Sequence, residues 1–326
     1  MGVFLYSVLF RALGRLLLGL SLASSFGSLS AAPPIDATAT PVETEATIYP
    51  YEFRDGTGRM VRLPQKPVRI LSLAPSITEG IYAIGAQDNL LANTRFCDFP
   101  EAARALPKIG GIENPDLELL FKLKPQLILA TNLTPPEVIH QIEKLGLSIA
   151  VFQQNGIAGA LADLIQIGKA LDVFSTARHI VEEVHRRLAA LQAISASLPR
   201  PRTLLLYGSD LLFSAGEKTF PGQIIAFSGG ANIAAHRGAD WPQLSVESIL
   251  TSDPEVILLA VDNDSQSAAQ KALERWQKDT LWKNIAAVRN KRIFAVPNAL
   301  LSIPGPRMAE AAELIARFLH PGSPNQ

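Results

Sequence analysis

Of 326 residues, one is cysteine, Cys97. A single thiol excludes an internal disulfide, a CxxC redox pair and a cysteine-built zinc site. Cys97 itself reads as a small buried hydrophobe, with a ligand or nucleophile as the competing role. Histidine is also scarce, with five scattered along the chain, so a metal cluster is not expected. His179 and His185 lie about 240° apart around a helix and cannot share a metal as residues four apart would. No sign of charge predominates, because 30 Lys+Arg face 30 Asp+Glu. That balance leaves no electrostatic footprint for nucleic acid. Neither a P-loop nor a GxGxxG occurs, so ATP binding is not expected of this chain. Charged residues make up only 18%, whereas hydrophobic residues reach 48%, ample material for buried cores.

The first 31 residues differ from the rest. They hold Arg11 and Arg15, no acid, the apolar run Leu16–Ala23, and then small residues up to Ala31. A positive region, a short apolar core and a small-residue zone form the layout of a secretory signal peptide. The apolar core is well short of the ~20 residues that a membrane span needs. No cysteine follows it, so a lipoprotein anchor is not expected. Removing Arg11 and Arg15 takes 30 basic residues to 28 against 30 acidic, a net of −2. Residues 32–50, rich in Pro, Thr and Ala, read as a flexible leader.

From residue 51 onward, strands and helices alternate. Short apolar runs at Arg69–Leu73, Leu90–Ala92, Gln126–Ala130, Ser148–Phe152, Thr203–Tyr207, Val256–Ala260 and Arg292–Val296 read as buried strands. Helical patterns lie between them, as at Pro135–Leu145, Ile157–Leu171 and Gly305–Leu319. Ser76 is expected to cap the helix after the first strand, and Gly85 to end it. Strands buried on both faces and separated by helices predict an α/β fold with parallel sheets. Ser175–Ala196 departs from the rhythm: Ile180, Val184, Leu188 and Leu191 recur at helical spacing with no Gly or Pro. A helix of that length would run about 33 Å and act as a rigid strut. The expected organisation is an N-terminal lobe at 51–174, a linking helix at 175–196, a C-terminal lobe at 197–320 and a tail at 321–326.

The lobes resemble each other. Leu117-Glu118 and Val246-Glu247 each open a short helical segment, with Pro125 and Pro254 seven positions after the glutamates and a buried strand beyond. A repeated pattern marks a repeated structural unit, although any helix–proline–strand segment has this general look. If the repeat holds, Glu118 and Glu247 are equivalent carboxylates, one per lobe, suited to a partner that is itself two-fold symmetric. A carboxylate in a first helical turn also favours the helix dipole, so capping alone is the competing role.

The runs Asp55-Gly-Thr-Gly-Arg59, Lys66-Pro-Val-Arg-Ile70 and Leu73-Ala-Pro-Ser-Ile-Thr-Glu79 resemble the substrate-binding proteins of ABC importers for cobalamin and ferric siderophores. Phe96-Cys-Asp-Phe-Pro100, Pro107-Lys-Ile-Gly-Gly111, Asn114-Pro-Asp-Leu-Glu118, Gly229-Gly-Ala-Asn-Ile233 and Trp241-Pro-Gln-Leu-Ser245 continue the likeness in order over about residues 50–320. The resemblance implies two α/β lobes bridged by one long helix, with the ligand in the cleft between them. It implies ligand contacts at Phe96, Ile112, Phe213 and Trp241, each with ordinary packing as the competing role. Ile112 and Thr131 stand where cobalamin-binding members carry aromatics, and Ala299 and Ile303 where they carry polar residues. At Glu118 and Glu247 the resemblance implies carboxylates that dock onto a permease dimer.

These observations predict a periplasmic binding protein, monomeric when free, with no cofactor or catalytic group of its own. It would capture a metal chelate, cobalamin or another corrinoid, and deliver it to an inner-membrane ABC permease with its ATPase. A ferric-siderophore-binding protein is the alternative within the family. A chelatase or metal-cluster enzyme on a similar fold, and a secreted sensor, are alternatives outside it; no cysteine-rich ligand set or convergent acid–base group favours the enzyme. Arg307 is expected either to line the cleft or to pair with a neighbouring acid, and His236 to sit on a solvated loop. N-terminal sequencing of protein released from the cell envelope should find a chain starting near Ala32. An intact Met1 would overturn the signal-peptide reading.

Overall fold

The structure, a computed structural model, describes residues 46–207, 212–262 and 265–322. The signal segment at 1–31, most of the leader at 32–50 and most of the tail at 321–326 lie outside the described residues.

A short antiparallel hairpin, β1 (Tyr51–Arg54) and β2 (Met60–Leu63), precedes the first sheet. Its turn is organised by Asp55, which accepts hydrogen bonds from the Thr57 amide and hydroxyl, the Arg59 amide and guanidinium, and the Val151 amide. Burial pushes the Asp55 carboxyl up, but these donors outweigh it and hold the carboxyl below its usual range.

The N-terminal sheet contains β3 (Ile70–Ser72), β4 (Leu90–Asn93), β5 (Leu127–Thr131) and β6 (Ile149–Phe152), all parallel, in the order β4-β3-β5-β6. The helices α1 (Pro75–Ala83), α2 (Leu117–Leu123), α3 (Pro136–Lys144) and α4 (Gly156–Ala170) connect and flank these strands. The linking helix α5 runs from Phe174 to Ser195. The second sheet contains β7 (Arg202–Tyr207), β8 (Ala231–Asn232), β9 (Val256–Val261) and β10 (Ile293–Pro297), again all parallel, in the order β8-β7-β9-β10. Its helices are α6 (Phe220–Phe227), α7 (Val246–Ser252), α8 (Ser265–Lys278) and α9 (Met308–Leu319). The central strands β5 and β7 are buried from end to end except for Arg202 at the start of β7, as a parallel sheet covered on both faces requires.

The two sheets share one strand order, and the repeat extends to side chains. Asp116 caps α2 by accepting from the Leu119 amide, and Ser245 caps α7 by accepting from the Ser248 amide. Each helix ends on a left-handed residue that is not glycine, Lys124 (φ 47°) and Asp253 (φ 40°), ahead of a proline. Arg69, preceding β3, donates to the Leu123 and Lys124 carbonyls. Arg202, opening β7, does the same to Ser252 and Asp253. Each arginine thus satisfies carbonyls that a helix C-terminus leaves without partners.

Ser76 is not the cap expected of it. The N-cap position of α1 is Ala74, with Pro75 at the first helical position, and the Ser76 hydroxyl donates instead to Gln154 Oε1 at 2.7 Å. Proline has no amide to satisfy there and is preset for a helical start, so no side-chain cap is needed.

Candidate ligand-binding site

In the N-terminal lobe, the segment from Thr94 to Pro100 leaves the end of β4 and is fixed from below. Cys97 is 1% exposed, and its sulfur lies 3.2 Å from both the Thr78 and the Thr94 hydroxyl. Burial pushes the thiol pKa up against those hydrogen bonds, so Cys97 stays protonated and acts as an anchor. Lys108 Nζ donates to Asn93 Oδ1 and to the Cys97 and Ala103 carbonyls, tying the loop to the neighbouring turn. On this base Phe96 is half-buried, and Phe99 stands 46% exposed.

In the C-terminal lobe, residues 212–216 lie beside 240–244. The Leu244, Ser214 and Gly216 amides bond to the Leu212, Pro242 and Asp240 carbonyls, and Phe213 bridges Gln243. This two-stranded arrangement carries Phe213 and Trp241 together. Two of the chain's three tryptophans, Trp276 and Trp282, stack on each other in the C-terminal core, with ring centroids 4.5 Å apart. Trp241 is instead 39% exposed and meets the Tyr207 ring edge-on at 5.5 Å. Tyr207 is buried, and its hydroxyl donates to the Leu301 carbonyl. Burial raises its pKa far above the ordinary phenol value, so it remains neutral.

An ion pair joins the lobes. Arg307, just before α9, donates through Nε and Nη2 to both carboxylate oxygens of Glu79 on α1, at 2.8 and 2.6 Å across 228 residues of sequence. The Glu79 side chain is 3% exposed and that of Arg307 is 20% exposed. Burial raises the Glu79 pKa despite this partner. The Arg307 guanidinium also lies 4.0 Å from the Phe99 ring centroid, a cation–π contact. Of the two roles weighed for Arg307, pairing with an acid is the one observed, though the acid comes from the other lobe. Glu79 and Phe99 were not singled out as site residues by sequence. Glu79 as the one charged residue of α1 was the available signal.

Ile112 is only 2% exposed, so its side chain offers almost no surface in this structure. Glu118 and Glu247 are exposed and occupy equivalent second positions of α2 and α7. His236 is exposed and lies 3.2 Å from Glu217. Among the described residues, no group of three or more His, Cys, Asp or Glu side chains could hold a metal, and no helix is long and apolar enough to cross a membrane. A cavity of about 400 Å³ lies away from these aromatics, between α5 and α9.

A family model described as periplasmic binding protein matches residues 70–300. The chain belongs to the periplasmic binding protein family. The vitamin B12-binding protein of Photorhabdus laumondii subsp. laumondii is 31% identical over 195 residues, which span 60% of this family member and 71% of that relative. The crystal structure of the periplasmic vitamin B12 binding protein BtuF of Vibrio cholerae superposes with a TM-score of 0.66 at 27% identity, covering 78% of this chain and 96% of that one. The periplasmic heme-binding protein RhuT from Roseiflexus sp. RS-1, in apo form, gives a TM-score of 0.66 at 25% identity over 77% of this chain and 97% of its own. The α/β fold and the family expected from sequence agree with these findings, and the relatives are binding proteins rather than enzymes.

Breaking the inter-lobe pair should be costly in a pH-dependent way. Arg307→Met strands a buried carboxylate, which costs on the order of 3 kcal/mol. With its folded-state pKa raised further, Glu79 imposes that cost above the pKa it has when unfolded and loses it once protonated. The melting-temperature deficit of the variant should therefore be large at pH 7.5 and shrink towards pH 5. A deficit that does not change with pH would assign the loss to packing instead.

Proposed function

We propose that this protein captures a corrinoid, cobalamin or a close analogue, in the cleft between its lobes and delivers it to an ABC permease. The observation that carries the reading is the likeness to vitamin B12-binding proteins along most of the folded chain. The aromatic surface supports it. Phe96 on one lobe and Phe213 with Trp241 on the other supply apolar faces of the kind that a large, flat chelate needs. A corrinoid can bring its own lower axial ligand, whereas haem iron usually takes one from the protein. Tyr207 and Cys97, which could donate to iron, are both buried, one bonded to a carbonyl and the other to hydroxyls. Export through residues 1–31 would place the mature chain in the periplasm. Glu118 and Glu247, one per lobe, would meet a permease of two-fold symmetry, with a corrinoid bound whose position Ile112 influences only through packing.

Titration of the mature protein with cobalamin, cobinamide, haem and ferric siderophores tests the ligand. Cobalamin should bind tightest, and a siderophore or haem binding far tighter overturns the corrinoid reading. Trp241→Ala should weaken binding by about 1–3 kcal/mol, roughly 5- to 150-fold in Kd. Unchanged affinity in a folded variant removes Trp241 from the site.

Docking has its own test. Glu118→Arg combined with Glu247→Arg should keep ligand affinity yet abolish uptake and association with permease-containing membranes, since like charges then oppose each other. Uptake at the wild-type rate would leave both glutamates as helix-terminal residues only.

A further inference from the structure

Two arginines stack on rings of the same loop, and they differ in one respect. Arg307 covers Phe99 and commits its nitrogens to Glu79. Arg95 covers Phe96, with its guanidinium carbon 4.8 Å from the ring centroid, yet that guanidinium makes no hydrogen bond or ion pair with any described residue. It is nonetheless held in place. The Arg95 amide donates to the Gly110 carbonyl at 2.9 Å. The guanidinium lies against Gly111, where an added Cβ would sit 3.1 Å from Arg95 Nη2 and 2.5 Å from Asn114 Oδ1. A side chain at Gly111 would collide with Asn114 Oδ1 and press on the edge of the guanidinium, so glycine is what lets both lie there. Beneath it, Cys97 and Lys108 fix the loop, and Phe99, four residues on, touches the opposite lobe through Arg307.

A guanidinium stacked by one face on an aromatic ring keeps its edge N–H groups for a planar anion, which it can bind through two parallel hydrogen bonds. We infer that Arg95 receives an anionic oxygen group, a carboxylate or phosphate, on the periphery of the captured chelate while Phe96 contacts its apolar body. This rests on the chelate-binding reading above and adds a charge requirement to it.

The test compares ligands that differ only in that charge: cobinamide phosphate against cobinamide, and haem against its dimethyl ester. Arg95→Met retains a side chain that can pack on Phe96. It should lose roughly tenfold or more in affinity for the anionic member of a pair and leave the neutral member nearly unchanged. Arg95→Lys should fall between, because it keeps the charge and loses the paired geometry. In the wild type, affinity for the anionic member should weaken with added salt, and in Arg95→Met it should not. A loss confined to the first pair assigns a phosphate, and one confined to the second assigns a carboxylate. Equal losses on both members, or no loss on either, overturn the inference while leaving the chelate reading intact. Wild-type protein that binds none of the four overturns both.

Discussion

Two lobes with separate hydrophobic cores need something to fix their relation, and the Glu79–Arg307 pair does so at a point far from the linking helix in sequence. Taking a carboxylate and a guanidinium out of water is expensive, and the cost is offset only when geometry is close and the hydrogen bonds are satisfied. Here both carboxylate oxygens are engaged and the guanidinium is stacked on Phe99. The arrangement fixes more than distance. A bidentate pair sets the orientation of α1 against the start of α9, and the ring contact extends that constraint to the loop carrying Phe96. Together with α5, which connects the lobes covalently, it limits how far they can separate without exposing a buried charge.

Each lobe solves the same local problem with the same parts. A short helix must stop abruptly so that the chain can turn into a buried parallel strand. A left-handed residue and a proline make the turn, and an arginine at the start of the neighbouring strand or just before it takes up the last helical carbonyls. The glutamates at the other ends of those helices are thereby carried on two similarly built platforms. Nothing in the packing of α2 or α7 calls for an acid at those positions beyond the favourable field of a helix N-terminus.

Much of this was legible in the sequence because burial on both faces leaves uninterrupted apolar runs. The observed β5 and β9, Leu127–Thr131 and Val256–Val261, fall within a residue of the runs that announced them. The β1–β2 hairpin was not anticipated as strands, because four residues are too few for alternation to register, and its order comes from the distant Val151 amide bonded to Asp55. The site was less legible than the fold. Trp241 was distinguishable, but the ladder that places it beside Phe213 depends on backbone pairing between segments about thirty residues apart, which no periodicity records. Glu79 is the one charged residue of α1, and its partner is 228 residues away. Ile112 was read at a position where the family places an aromatic, and here the smaller side chain is covered.

The burial of Cys97 bears on how the protein ages. An unpaired thiol on a surface loop would be open to mixed disulfides and to covalent dimers wherever oxidants circulate. At 1% exposure, protonated and bonded by two threonine hydroxyls, this sulfur offers neither the thiolate nor the access that exchange requires. The anchor of the aromatic loop is for that reason also chemically quiet, and the loop keeps its shape without a disulfide to protect it.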